Sequence, residues 1–540
     1  MQTIARHTVH TPPDRPWLGP VPAIRYERHY DDRVVRCFAE RPRNAYDLLA
    51  GAAVRAPRGE AIVTGPERLD YRTYEEIVAR CAAGLAAAGV EKGDRVGMLL
   101  GNGTAFPVVM FAALRLGAIA VPMSVREQAD GLGYMLTQCA AKVLVHDADL
   151  ADRLPHPDLT PALQRRIAVT PGAPVTDLPL LAQDQAPRVE VDEEDTAIIL
   201  YTSGTTGRPK GAMLSHLGIV HSAIHFEACM ALTASDRAVV AVPMSHVTGV
   251  IALIAAMTRA SATLIVMPAF RAGEFLALAA AERMTHALMV PAMYNLCLID
   301  PGFDPKQFPA WRVGGYGGAP MAPATIARFA EVLPGLQLMN AYGSTETTSP
   351  VTMMPPTETA ARSDSVGCAL PCADILVMDD EGREVPRGAE GELWLGGPMV
   401  VKGYWNNREA TRDNFVAGYW RSGDIGSMDA DGFVRVFDRK KDMINRGGYK
   451  IFSVEVENVL MSFPGVVEAA VIARPCPVLG ERVHAFVFAD SGGASEPAMK
   501  QHCARLLADY KVPETITLSP QPLPRNANGK LLKRSLRAGA

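Results

Sequence analysis

Tyr201-Thr-Ser-Gly-Thr-Thr-Gly-Arg-Pro-Lys-Gly211 carries five hydroxyl side chains, three glycines and two cations in eleven residues. The apolar run Ala197-Ile-Ile-Leu200 leads into it, and residues 212–230 alternate apolar and polar positions in a way that a helix buries on one side. The expectation is therefore strand, glycine-rich loop, helix. Glycines lacking a Cβ let successive backbone N–H groups converge on one point, and such nests bind anions. The hydroxyls add donors, and Arg208 and Lys210 add positive charge. A loop of this chemistry suits a polyphosphate.

The stretch is not a Walker A loop, which needs Gly-x4-Gly-Lys-Ser/Thr. Here Pro209 precedes Lys210 and Gly211 follows it. Composition alone also suits a flexible surface loop. The order Thr-Ser-Gly-Thr-Thr-Gly-x-Pro-Lys-Gly, however, resembles the phosphate loop of the adenylate-forming superfamily. That superfamily includes acyl-CoA synthetases, luciferases and peptide-synthetase adenylation domains.

The chain has 540 residues, too many for one core, so at least two domains are expected. A net charge of −4 without a long basic run argues against nucleic acid or an anionic membrane surface as the main partner. Nine cysteines are scattered singly; Cys368 and Cys372 are the one close pair, with no second pair to complete a zinc site. Scattered thiols suit a reducing cytoplasm. The N-terminus shows no apolar signal segment. Residues 105–123 are the most membrane-like stretch, but Arg115 lies inside it and Pro107 and Pro122 bracket it, so a buried helix and strand are expected and no transmembrane segment.

Residues 1–44, rich in Pro, Arg and His, read as an irregular arm. Beyond them strands and helices alternate, which argues an α/β domain. Residues 68–74 read as an edge strand turning into a helix with Thr73 at its N-cap. Strands are expected at 93–100, 118–121, 141–145, 238–242, 263–267, 286–290, 312–315 and 336–340. From about Val366 short strands separated by glycine-bearing turns suit a small β-rich subdomain. Arg439-Lys-Lys-Asp442 is a charged break, followed by a compact α+β pattern of about a hundred residues, the size of a separate domain. The expected architecture is a large N-terminal α/β domain, residues 1–440, built of layered subdomains, and a small mobile α+β C-terminal domain, residues 441–540.

Further stretches match the superfamily in order. Ligands collect at strand ends in α/β sheets, and the strand expected at 336–340 ends in Ala341-Tyr-Gly-Ser-Thr-Glu346. The resemblance implies that Thr202, Ser203, Gly204, Thr205, Thr206 and Lys210 hold phosphates. It implies that Tyr342 stacks on adenine within Asn340, Ala341, Gly343 and Ser344, that Thr345 meets the α-phosphate and that Glu346 coordinates Mg2+, a hard ion suited to a carboxylate. Gly317, Gly318, Ala319 and Pro320 match the backbone wall beside adenine. Asp424, in Arg421-Ser-Gly-Asp424, matches the ribose ligand, with Arg439 beside it. Lys530, in Asn528-Gly-Lys530, matches the lysine that bridges carboxylate and α-phosphate, where its charge counts as negative charge builds up.

The resemblance implies an ATP-dependent acyl-CoA synthetase. An acid attacks the α-phosphorus of Mg-ATP to give acyl-AMP and pyrophosphate, and the thiol of coenzyme A then displaces AMP. Catalysis is expected from Lys530, Glu346, His246 and Thr202. Lys441 is the expected hinge for rotation of the small domain between half-reactions, and Gly447 and Gly448 line the coenzyme A tunnel. The acyl pocket is expected around His246, Val247, Gly249, Val250 and Gly315. Val247 stands where amino-acid-activating members usually carry Asp, which points to a hydrophobic fatty, aryl or cyclic acid. A carrier-protein phosphopantetheine thiol is the alternative acceptor. The individual acid is not legible, nor is the oligomeric state, with a homodimer among the options.

Overall fold

The structure, a computed structural model, describes residues 17–202, 208–489, 494–525 and 531–538. By packing, the chain divides into two compact units. One comprises Met1–Ile375, Leu395–Trp420 and Ala430–Val434, the other Leu376–Trp394, Arg421–Asp429 and Arg435–Ala540.

The first unit is built on two sheets. One has the order Lys210–Ser215, Thr196–Thr202, Ile119–Pro122, Arg95–Leu99, Val143–Asp147, Arg165–Val169. All its neighbours are parallel except the first pair. In the other, Glu60–Thr64, Thr263–Val266, Arg237–Val240, His286–Met289, Val313–Tyr316 and Gln337–Ser344 run parallel in that order. Antiparallel strands flank this run: Glu67–Asp70 at one side, Ser349–Met353 and Gly367–Ala369 at the other. Apart from the edge strand Arg165–Val169, the parallel strands are largely apolar runs buried on both faces, as sheets covered by crossover helices require. The helix Ala105–Arg115 and the strand Ile119–Pro122 are buried together, and no described helix is long and apolar enough to cross a membrane.

Three local expectations are corrected. Residues 24–38 are not irregular. Ile24–His29 and Arg33–Phe38 form an antiparallel hairpin turning through Tyr30 and Asp31, whose φ values are 50° and 65°. One end is tied down by Arg33, which donates to the carbonyls of Val400 and Val401 at 3.1 and 3.3 Å. Second, the phosphate stretch runs not into a helix but into a return strand, Lys210–Ser215. The helix starts only at His216–Cys229, where Ser215 accepts from the Gly218 amide at 3.1 Å. The backbone of 210–215 is satisfied by pairing with Thr196–Thr202, which overrides its helical spacing. Third, Asp70 rather than Thr73 caps Tyr71–Ala87: its carboxylate accepts from the Thr73 amide at 2.8 Å.

The helix His216–Cys229 is buried on nearly all sides, and its three histidines serve as backbone acceptors. His216 Nδ1 accepts from the Ala45 amide, His221 Nε2 from Phe38 and His225 Nε2 from Cys372, each at 3.2 Å. Burial holds these imidazoles neutral, with pKa values pushed down to about 4 for His216, to about 3 for His221 and well below the usual range for His225. His286, in the strand His286–Met289, is pushed down to about 4 by the same cause.

In the second unit the strands Asp374–Met378, Gly391–Gly396, Tyr419–Met428 and Phe433–Arg439, most of whose residues belong to it, lie in that order. Its C-terminal part has the sheet order Tyr449–Ile451, Ile444–Arg446, Gly480–Ala489, Val466–Cys476, with Thr515–Ser519 beside Gly480–Ala489. The helices Ser453–Met461 and Glu496–Leu506 supply Val456, Leu460, Met499 and Cys503 to a core with Ile444, Val471 and Val487. The 439–442 break lies inside this unit.

Candidate active site

The phosphate stretch begins as Thr196–Thr202 ends, and Lys210 returns directly opposite Thr202. Ser203, Gly204, Thr205 and Thr206 lie outside the described residues. Thr202 and Lys210 are held at the mouth of the turn. The Thr202 hydroxyl is 3.3 Å from Glu346 Oε1, the same oxygen to which the Tyr404 hydroxyl donates at 3.0 Å. The Ser344 hydroxyl donates to Oε2 at 2.6 Å. Glu346 is buried, and its own carbonyl accepts from the Val401 amide at 3.0 Å. The Lys210 ammonium stands 5.0 Å over the Tyr404 ring, a cation–π arrangement. Burial, and then the neighbouring Glu346 charge, push the Tyr404 phenol far up, so it stays a donor. Arg208 stacks over Tyr134 at 5.1 Å. A buried carboxylate flanked by hydroxyl oxygens fits a hard cation such as Mg2+.

Sequence reasoning missed Tyr404. Its surroundings, Val401-Lys-Gly-Tyr-Trp405, look like any glycine-bearing turn, and only the fold brings the phenol to Glu346.

Parallel strands place the next residues. Tyr316 pairs with Asn340, so the residues that follow both leave from the same edge of the sheet. Gly317 is close enough there that a Cβ would collide with the Ala341 carbonyl oxygen. Gly318 has φ 79°, and Gly318, Ala319 and Pro320 are exposed. The strand expected to end at Asn340 continues to Ser344, so Ala341, Tyr342 and Gly343 are strand residues paired with Ser349–Met353. A Cβ on Gly343 would overlap the Ser349 carbonyl oxygen. Tyr342 and Thr345 are partly exposed.

The loop after Arg237–Val240 carries His246. Asn102, following the strand Arg95–Leu99 of the other sheet, pins this loop. Its amide donates to the carbonyls of Val242 and Met267 at 3.0 Å each, and its oxygen accepts from the Met244 amide at 2.8 Å. His246 is exposed, with Nδ1 3.2 Å from the Thr248 hydroxyl. Val247 and Val250 are buried, and Gly249 lies so close to Pro243 that a Cβ would strike its carbonyl. Thr248–Ala255 is a π-helix, continued as an α-helix over Ala256–Arg259. It packs on His216–Cys229 and on the strands Arg237–Val240 and His286–Met289. Gly315 faces other neighbours: a Cβ would sit 3.1 Å from Leu288 and 3.2 Å from Met230. Arg312, the cation nearest in sequence, is bound to Asp236 at 2.7 Å and to the carbonyls of Met230 and Ala231.

Within the second unit Asp424 is a buried strand residue. Arg439 pairs with it at 2.7 Å and donates to the Ser422 carbonyl at 3.2 Å. The Lys441 carbonyl accepts from Arg537 at 3.3 Å. Gly447 and Gly448 make the turn between Ile444–Arg446 and Tyr449–Ile451, with φ of 60° and 93°, and open space lies where a Gly448 Cβ would point. Lys530 lies outside the described residues. Among the described residues, Glu27, His29 and Cys37 also converge within 4.8 Å as potential metal ligands, but Arg41 already holds Glu27 at 2.7 Å.

Comparison with known proteins decides the family. The model of the AMP-binding enzyme family matches residues 49–405, and that of its C-terminal domain matches residues 455–530. The chain belongs to the AMP-binding enzyme family. Over 502 residues it is 34% identical to the long-chain-fatty-acid–CoA ligase FadD13 of Mycobacterium tuberculosis, covering 91% of this chain and 97% of that one. Over 484 residues it is 34% identical to the feruloyl-CoA synthase of an Amycolatopsis species, covering 89% and 96%. The solved structure of ATP-bound MatB from Rhodopseudomonas palustris superposes with a TM-score of 0.84 at 29% identity, covering 92% of this chain and 99% of that chain. The expected adenylate-forming α/β fold and AMP-forming acid–CoA ligase class therefore hold. ATP, Mg2+ and coenzyme A are the family's small-molecule requirements.

Proposed function

We propose that this member of the family activates a hydrophobic monocarboxylic acid, fatty or aryl, and passes it to coenzyme A. The observation carrying the substrate class is the state of Arg312. It neutralises the buried Asp236 and caps two carbonyls, so it is not available to a second substrate carboxylate. Val247 and Val250, on the segment that follows His246, are apolar and buried. The relatives named for long-chain fatty acids and for feruloyl-CoA bracket the same class.

In this reading Thr202, Lys210 and Thr345 hold ATP phosphates, together with Ser203, Gly204, Thr205 and Thr206. Tyr342, with Asn340, Ala341, Gly343, Ser344 and the 317–320 backbone, receives adenine. Asp424 accepts the ribose diol and Arg439 fixes that carboxylate. Glu346 is the residue that would hold Mg2+. Bound there, the ion neutralises phosphate charge during adenylyl transfer. The chain's own contribution is positioning and fixed charge. Thr202 and Ser344 orient Glu346, His246 borders the acid, and Lys530 supplies positive charge at the α-phosphate. Lys441 is the proposed hinge of a C-terminal domain at 441–540, and Gly447 and Gly448 leave the pantetheine arm room. All nine cysteines are buried and stand outside any disulfide, which supports a cytoplasmic location. A homodimer is the proposed assembly, and light scattering reads it directly.

The test is AMP and pyrophosphate release over a panel of fatty, aryl, amino and dicarboxylic acids, with and without coenzyme A. AMP release that depends on coenzyme A is expected for the hydrophobic monoacids alone. Preferential turnover of a dicarboxylate would overturn the substrate class. Pyrophosphate release indifferent to coenzyme A would move the acceptor to a carrier-protein thiol.

A further inference from the structure

We propose that Tyr404 is a positioning residue that fixes the Glu346 carboxylate and the Lys210 ammonium in one arrangement, ready for the metal-bound triphosphate. The inference rests on reading Glu346 as the magnesium ligand. Tyr404 is 4% exposed and presents two surfaces to two opposite charges. Its hydroxyl donates to Glu346 Oε1 at 3.0 Å, and its ring face lies under Lys210 Nζ at 5.0 Å. Among the described ion pairs none joins Lys210 to Glu346. With the ring occupying the ammonium, the two charges do not neutralise each other, and the lysine stays available for phosphate oxygens.

The ring cannot swing away freely. The Tyr404 amide donates to Thr411 Oγ1 at 2.9 Å. The next amide, Trp405, donates to the Gly211 carbonyl at 2.7 Å, and the Met213 amide donates to the Gly403 carbonyl at 3.1 Å. Residues 403–405 are thus stitched onto the return strand of the phosphate stretch. Edge-on contact with Phe415, centroids 5.5 Å apart, closes the remaining side. Glu346 is therefore oriented by Thr202 and Tyr404 on one oxygen and by Ser344 on the other. A carboxylate ligand held by such outer hydrogen bonds keeps its lone pairs aimed. Losing one outer partner costs about 10- to 100-fold in metal affinity or activity.

Tyr404→Phe keeps the ring, its burial and the contact with Lys210, and removes only the hydroxyl. The experiment is calorimetric binding of a non-hydrolysable ATP analogue to the full chain across a Mg2+ series, for wild type, Tyr404→Phe, Glu346→Gln and the double variant. The expected result for Tyr404→Phe is a rise of about tenfold in the Mg2+ concentration needed for half-maximal binding. Glu346→Gln should raise it at least as far, and the double variant no further than Glu346→Gln, because both act through one carboxylate. A midpoint within twofold of wild type for Tyr404→Phe, while Glu346→Gln shifts, overturns the role of Tyr404 and leaves Glu346 standing. If neither variant shifts the midpoint, the assignment of Glu346 falls and this inference with it. Additive shifts in the double variant would also overturn it.

Discussion

Acidification should destabilise the first unit already near pH 5, because burial opposes the protonation of four of its imidazoles. His216, His221, His225 and His286 are 0–1% exposed, and burial depresses all four. A histidine depressed in the fold and ordinary in the unfolded chain contributes in full above about pH 6.5. That contribution is lost as the pH falls toward the folded values, about 4 for His216 and His286 and about 3 for His221. At pH 5 the unfolded imidazole is 1.5 pH units below its own pKa and the folded one is still neutral. Each group then costs about 2 kcal/mol, and four cost about 8 kcal/mol. That is comparable with the whole stability of a typical domain, about 5–15 kcal/mol. Denaturant unfolding of the full chain, followed at pH 7.5 and pH 5.0, reads the loss. His221→Gln supplies the control, since a glutamine amide reproduces the donor to Leu217 and the acceptor for Phe38 without titrating. Its pH 7.5-to-5.0 difference should shrink by about 2 kcal/mol. Stability that is flat between these pH values, or a His221 resonance titrating near pH 6.5 in the folded protein, would refute the reasoning.

Further expectations concern the proposed roles. Lys530→Ala should abolish adenylation while largely sparing thioester formation from supplied acyl-AMP, whereas Lys441→Pro should do the reverse. Equal loss of both half-reactions in either variant would remove that residue from its role. Arg312→Ala should destabilise the first unit by about 3–5 kcal/mol, since it leaves the buried Asp236 carboxylate uncompensated. The variant's acid preference, measured at a temperature where it is folded, should match wild type; a changed preference would place Arg312 in the acid pocket after all.

Much of the fold is legible in the sequence because parallel strands buried on both faces appear as apolar runs, as at Val143–Asp147 and His286–Met289. Hairpins are legible less well. Ile24–His29 is mostly exposed and mixes charged with apolar residues, so no period marks it. Lys210–Ser215 carries a pattern that suits a helix and becomes a strand only because Thr196–Thr202 is beside it. The candidate site divides in the same way. Residues within contiguous motifs, such as Thr202 and Glu346, can be found by their order along the chain. Tyr404, by one hydrogen bond, and Asn102, by three, act across long sequence separations, and nothing in their own neighbourhoods announces it.

The π-helix at Thr248–Ala255 gives the segment that follows His246 an unusual route to change. Its ladder closes over i→i+5 rather than i→i+4, so it uses one residue more per ring than an α-helix would. A lineage that lost a single codon there would return the segment to α-helical spacing. The side chains on either side would keep their phase, and only those inside the shortened turn would be re-aimed, by about 100° per position. The residues offered around Val250 would then be exchanged wholesale, with the flanking strands left in register. Insertion or deletion of one residue is thus a change this segment can absorb where an ordinary α-helix could not.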